Sequence, residues 1–199
     1  MRLAAQDIAC ERGGRLIFDA LSFVVEQGEL LELRGANGSG KSSLLRLIAG
    51  LNHTTSGTLV LEGARIDTRI AELTHYIGHA EASKPALTLR QNLDFWAKYL
   101  GNGNVEKGLD AFNLSAIADD PTRLLSSGQK RRLALARLAV VDRPLWLLDE
   151  PTVGLDQNSI GKLNALLQDH LGGGGMAIVA THADLDIKAA KHLSLKARA

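Results

Sequence analysis

Two apolar rhythms run along this chain. In its N-terminal third, Ser22-Phe23-Val24-Val25-Glu26, Glu29 to Leu33 and Thr58-Leu59-Val60-Leu61 are short strand-like runs separated by glycine-containing turns. Leu145-Trp146-Leu147-Leu148 and Met176-Ala177-Ile178-Val179-Ala180 are continuously apolar, as expected of strands buried on both faces of a parallel sheet. Elsewhere the period lengthens. Leu89, Leu93, Trp96 and Leu100 recur at helical spacing, and Leu133, Leu135, Leu138 and Val140 mark a second helix. Ile160 to Leu171 reads as a third helix, stopped by the glycines Gly172 to Gly175. The pattern predicts a mixed α/β core with a small helical insertion over about residues 83–125.

The turn between the strand ending at Leu33 and the helical run Leu44-Leu45-x-Leu47-Ile48 carries chemistry. Gly35-Ala36-Asn37-Gly38-Ser39-Gly40-Lys41-Ser42 is a complete G-x-x-x-x-G-K-S loop. Its glycines let backbone N–H groups close around phosphates, Lys41 reaches the outer phosphates, and the Ser42 hydroxyl is placed to join a Mg²⁺ shell. This segment predicts binding of a nucleoside triphosphate, with Ser43 counted among the binding residues. Further on, Asp149 and Glu150 follow a buried strand, and that strand end lies beside the nucleotide in a phosphate-loop fold. Asp149 is expected to hold Mg²⁺, and Glu150 to polarise the water that attacks the γ-phosphate. Ser126 and Gln129 match a capping box at the start of the second helix. With Ser127 and Gly128 they also offer an anion the positive end of that helix.

Composition narrows the partners. The chain has 199 residues, enough for one sizeable core, and a formal net charge of +1 argues against a phosphate-backbone footprint on nucleic acid. Cys10 is the single cysteine, so no internal disulfide is possible. No apolar stretch reaches the ~20 residues of a spanning helix, and Asp7 interrupts the position where a signal peptide would be apolar. Work at a membrane is therefore expected to go through a partner.

The order and spacing of Gly35–Ser42, Ser126–Gln129, Asp149–Glu150, Gly154-Leu155-Asp156 and Thr181-His182 resemble those of ATP-binding cassette (ABC) ATPases over essentially the whole chain. The resemblance implies a single ATPase domain over 1–199. Its phosphate-loop core spans about 1–82 and 126–199, with an N-terminal antiparallel β subdomain and an inserted helical subdomain at 83–125. It implies ATP and Mg²⁺ as ligands, and a head-to-tail dimer in which Ser126, Ser127, Gly128 and Gln129 of one subunit face the phosphate loop of the other. Asp156 then crosses the dimer axis, and Lys41, Glu150 and His182 serve hydrolysis.

Two positions depart from that family's pattern. Arg12 falls where many cassettes carry an aromatic residue against adenine, and reads either as a guanidinium stacked on the base or as an exposed turn arginine. His79 falls where a glutamine is expected, and reads either as a contact to Mg²⁺ or water or as a structural or interface histidine. The segment from His79 to Leu100 is the expected groove for a membrane partner. Trp96 and Tyr99 are its lining residues, although core packing of Trp96 is the alternative.

Finer traits are similar to the ATP-binding subunits of cytochrome c maturation haem exporters: Cys10-Glu11-Arg12-Gly13-Gly14, Tyr76-Ile77-Gly78-His79, Lys84-Pro85, Gln91-Asn92-Leu93 and Arg131 to Leu138. This similarity implies integral membrane permease partners, a peripheral place on the cytoplasmic face of a bacterial inner membrane, and ATP hydrolysis coupled to haem delivery. No haem ligation by this subunit is implied, because Cys10 lacks a C-x-x-C-H context. A transporter subunit for another small substrate, or a non-transport ABC ATPase, stays as the alternative reading.

Overall fold

The computed structural model describes residues 1–65, 67–101, 103–182, 185, 187 and 191–196. Strands β1 (Arg2–Arg12), β2 (Arg15–Glu26) and β4 (Ser56–Glu62) form an antiparallel sheet in the order β2-β1-β4. A second sheet is parallel, in the order β5-β6-β7-β3-β8. It comprises β3 (Leu30–Arg34), β5 (Thr74–Ile77), β6 (Leu145–Asp149), β7 (Met176–Ala180) and β8 (Lys191–Ser194). Every residue of β6 and β7 is buried, which is why both read as unbroken apolar runs.

The two faces of β6 separate two cores. Leu145 and Leu147 pack with Leu31, Leu33, Leu44 and Leu45, and with Leu3, Ile8 and Phe18 from the antiparallel sheet. Trp146 and Leu148 point the other way, into a cluster with Leu89, Leu93, Phe112, Leu133, Leu135 and Leu163. Helix α1 (Lys41–Ile48) serves the first core; α2 (Leu89–Leu100), α3 (Val105–Ala111), α4 (Ser127–Val140) and α5 (Gln157–Gly172) serve the second. Truncating a fully buried leucine such as Leu148 costs about 2–5 kcal/mol.

Three strands escape the sequence pattern for physical reasons. β1 keeps Leu3 and Ala5 inward, then bulges near Asp7, which has φ +49°, and continues with Ile8 and Cys10 inward. The bulge shifts the period-2 phase by one, so no single alternation runs through the strand. Ser22 holds the bulge, accepting from the Asp7 amide at 2.9 Å and donating to Asp7 Oδ1 at 3.0 Å. β5 and β8 are four-residue strands at the two edges of the parallel sheet, too short for a period to show. The stretch 83–125 is helical only in part. Residues 83–88 lie before α2 and bridge Thr88 to Pro121, and 3₁₀ turns cover Ser115–Ile117 and Thr122–Leu124. Among the described residues no helix is long and apolar enough to cross a membrane.

Candidate functional site

β6, β7 and β3 are neighbours in the sheet, so the loops leaving their C-terminal ends meet at one edge. The loop after β3 runs through Gly35–Gly40 into α1. Side chains are excluded at two of its points: a Cβ on Gly35 would sit 2.4 Å from the Leu195 carbonyl, and one on Gly40 would sit 2.7 Å from Ile17 Cγ2. Gly40 also has φ +99°, a conformation that disfavours any other residue. The Lys41 ammonium folds back to donate to the carbonyls of Gly35 at 2.7 Å and Ala36 at 3.2 Å. An ammonium has three protons, so one is left for an incoming phosphate.

Ser42 Oγ donates to Asp149 Oδ1 at 3.0 Å, joining the loop after β3 to the end of β6. Asp149 is buried, and its Oδ2 has no hydrogen-bond partner among the described residues. An orphaned carboxylate oxygen beside a hydroxyl, next to a phosphate loop, is a donor set that fits a Mg²⁺–nucleotide. Among the described residues no three His, Cys, Asp or Glu side chains converge to hold a metal unaided.

Glu150 adopts φ +48°, a left-handed backbone that costs a non-glycine residue on the order of 1 kcal/mol. Its amide donates to the Ala180 carbonyl at 2.8 Å, anchoring it to the end of β7. The carboxylate faces His182: the His182 amide lies 3.4 Å from Glu150 Oε2, and Nε2 lies 3.5 Å from Oε1. The same Nε2 is 3.1 Å from Asn37 Oδ1. Both oxygens accept, so this nitrogen carries the proton.

A cleft of about 350 Å³ lies among these groups. Asn37 to Ser43, Asp149 and Glu150 line it, and Arg12, Ile17 and His79 complete the wall. Arg12 and His79 are exposed within it. Ser126 to Gln129 and Asp156 do not line this cleft. Ser126 and Gln129 close their capping box at the start of α4, at 2.8 and 3.2 Å. Asp156 caps α5, accepting from the Ser159 amide at 2.8 Å, and that bond holds its carboxyl below the usual range.

His79 also lines a second, larger groove of about 670 Å³ between the parallel sheet and α2. Its cations are unevenly paired. Arg69 meets Glu72 at 2.7 Å, Arg143 donates to the carbonyls of Leu100 at 2.7 Å and Glu72, and Arg46 donates to the Tyr76 hydroxyl at 3.4 Å. The Arg137 guanidinium lies 3.5 Å from the Trp96 ring centre, and its buried Nε has no hydrogen-bond partner among the described residues. Burial pushes the Arg137 pKa down to about 10. Trp96 is thus half-buried against Arg137 and still faces the groove, and Tyr99 is well exposed at its rim.

Several of these residues were not legible as site residues in the chain. Ile17 sits on a strand far from the loop motif, and Arg46 and Arg143 gain meaning only from the groove they line.

Residues 18–153 match the family described as ABC transporter. The chain belongs to that family, and with it comes ATP binding and hydrolysis by an α/β cassette of this class. It is 48% identical to the cytochrome c biogenesis ATP-binding export protein CcmA of Rhodopseudomonas palustris (strain BisB5), over 95% of this chain and 96% of that protein. It is 47% identical to the protein of the same name from Paracoccus denitrificans, over 97% and 88% respectively. The fold matches a solved ATP-binding subunit of an ABC transporter with a TM-score of 0.87, at 23% identity, over 100% of this chain and 89% of that one. It also matches the ADP conformation of an ATP-binding cassette of an ABC transporter with a TM-score of 0.78, at 20% identity, over 100% and 90%.

Proposed function

We propose that this chain hydrolyses ATP as one half of a dimer docked on integral membrane subunits, and that hydrolysis drives haem delivery for cytochrome c maturation outside the cytoplasmic membrane. The observation that carries the ATPase chemistry is the meeting of Lys41, Ser42, Asp149, Glu150 and His182 at three adjacent strand ends. Lys41 and the loop amides bind the phosphates. Ser42 and Asp149 would hold Mg²⁺, which supplies charge neutralisation on the phosphates when bound. Glu150 accepts a proton from the attacking water, and His182 positions that water and the γ-phosphate.

A separation within the chain supports the dimer. Ser126 to Gln129 and Asp156 lie outside the cleft of their own chain, which suits the head-to-tail arrangement in which a second copy brings them to the nucleotide. ATP then closes the dimer because only ATP offers a γ-phosphate to the far Ser126 turn, and hydrolysis removes that differential contact. Residues 83–125 act as the helical subdomain, and the groove lined by Tyr76, Trp96 and Tyr99 receives a helix of a membrane subunit. The chain itself remains peripheral, on the cytoplasmic face, and ligates no haem. The near-50% identity to proteins named for cytochrome c biogenesis supports the cargo assignment.

The test replaces the chromosomal copy with Glu150→Gln and stains the host's c-type cytochromes for haem. Loss of holo-cytochrome c, restored by wild type, is the expected result. Normal staining with a variant shown to be hydrolysis-dead would discard haem delivery and assign the ATPase to another transported substrate.

A further inference from the structure

One buried cation bonds the backbone behind the cleft without lining the cleft itself. Arg131, in the second turn of α4, is only 4% exposed. Its Nε donates to the Pro151 carbonyl at 3.2 Å and its Nη1 to the Gly78 carbonyl at 2.9 Å. Its Nη2 donates to the carbonyls of Asp149 at 2.9 Å and Glu150 at 2.6 Å. All four partners are main-chain oxygens, and none is a carboxylate. Only a planar fork with five N–H donors can bridge carbonyls from two separate segments in this way; a lysine offers three protons from one point.

We infer that Arg131 is a positioning residue for Glu150, holding its backbone in the left-handed turn that aims the carboxylate across the cleft. The inference rests on Glu150 being the base proposed above. Glu150 is pinned at both of the peptide units that flank it: its amide by Ala180, its carbonyl by Arg131. A left-handed non-glycine residue persists only where its surroundings over-determine it. Through Gly78, next to His79, the same guanidinium ties that turn to the segment shared by the cleft and the groove. Through its own backbone it ties both to the helix that begins at Ser126. Attraction from Glu81, Asp149 and Glu150 offsets part of the burial that depresses its pKa, so the charge is kept.

The experiment measures ATP turnover of the full chain purified with its membrane subunits, for Arg131→Gln and Arg131→Lys, each in the wild-type and the Glu150→Gln background. With Glu150 present, Arg131→Gln is expected to lower kcat about tenfold or more at an unchanged KM, with Arg131→Lys intermediate. In the Glu150→Gln background the single-turnover rate should change less than about twofold, because the group being positioned is already gone. A residue that merely stabilises the fold would lower the rate by the same factor in both backgrounds, or raise KM, and either result overturns the inference. If Arg131→Gln fails to assemble, the Arg131→Lys pair alone decides by the same comparison. Unchanged turnover in both Arg131 variants, with Glu150→Gln impaired, overturns the inference and leaves the base in place. Wild-type turnover in Glu150→Gln removes the base, and the inference falls with it.

Discussion

The cleft at the ends of β3 and β6 takes most of its polar groups from two continuous stretches, residues 37–43 and 149–150, with Arg12 and His79 on its wall and His182 set against Asn37 and Glu150. The groove on the far side of His79 gathers Arg46 from α1, Tyr76 from β5, Trp96 and Tyr99 from α2, Arg137 from α4 and Arg143 from the turn before β6. In the cleft, charged groups already have short local partners: Lys41 on two carbonyls, Asp149 on Ser42. In the groove, four arginines face a single carboxylate, Glu72, among the described lining residues. A cleft whose charges are held ready needs only a ligand with phosphates. A groove with four arginines and one carboxylate among its described lining residues is the kind of surface that complementary acidic or carbonyl groups would fit.

The sharpest way to break this contrast is at Glu150. Glu150→Gln should lower the hydrolysis rate by ~10²–10⁴-fold, the usual worth of a general base, and leave ATP-bound dimers visible by light scattering. A monomer with saturating ATP would remove the sandwich and turn Ser126 to Gln129 into nothing more than a helix cap.

The next largest effect lies behind the groove wall. His75 is buried on β5, donates from Nε2 to the Val141 carbonyl at 2.7 Å, and packs edge-on against Trp146, which in turn stacks on His170 at 3.8 Å. Burial, with Arg137, Arg143 and His170 nearby, lowers the His75 pKa from 6.5 to about 4. The folded protein therefore binds this proton less readily than the unfolded chain. Stability is complete above the unfolded value near 6.5 and is lost as pH falls towards 4. Denaturant titrations should show about 2 kcal/mol less stability at pH 5 than at pH 8, and His75→Gln should flatten most of that slope. His170, also shifted down by burial, adds in the same direction. Equal slopes in both proteins would assign the acid sensitivity elsewhere.

Smaller still is the expected effect of Tyr99→Glu on the groove rim. Tyr99 stacks on Phe95 and is exposed, so the fold should tolerate the change. Recovery of membrane subunits with the chain should fall about tenfold, while ATP affinity stays within about twofold. Loss of both together would mean that cleft and groove are not separable.

Arg12→Ala closes the series. A guanidinium on a base at an exposed site is worth about 0.5–1 kcal/mol, so ATP affinity should weaken about two- to fivefold with Mg²⁺ dependence unchanged. Calorimetry with ATP checks it, and unaltered affinity would leave Arg12 as a turn residue beside the Gly13–Gly14 turn.

Sequence alone determined the elements whose chemistry is local. The glycine spacing of 35–42, the apolar runs of β6 and β7, and the Ser126–Gln129 cap each lie within a few residues and depend on backbone geometry that the same residues impose. The family, the α/β class and the ATPase activity were legible from those pieces. Tertiary structure decided whatever needed two distant segments to meet. The bulge at Asp7 reversed the phase of β1 because its partner strand, through Ser22, holds it. Sheet order placed β7 between β6 and β3, and so brought His182 against both Asn37 and Glu150. Arg131 acquired four carbonyl partners because α4 crosses beneath strand ends up to 53 positions away. A hydrophobic period records which face is buried; it carries no record of what lies across from it.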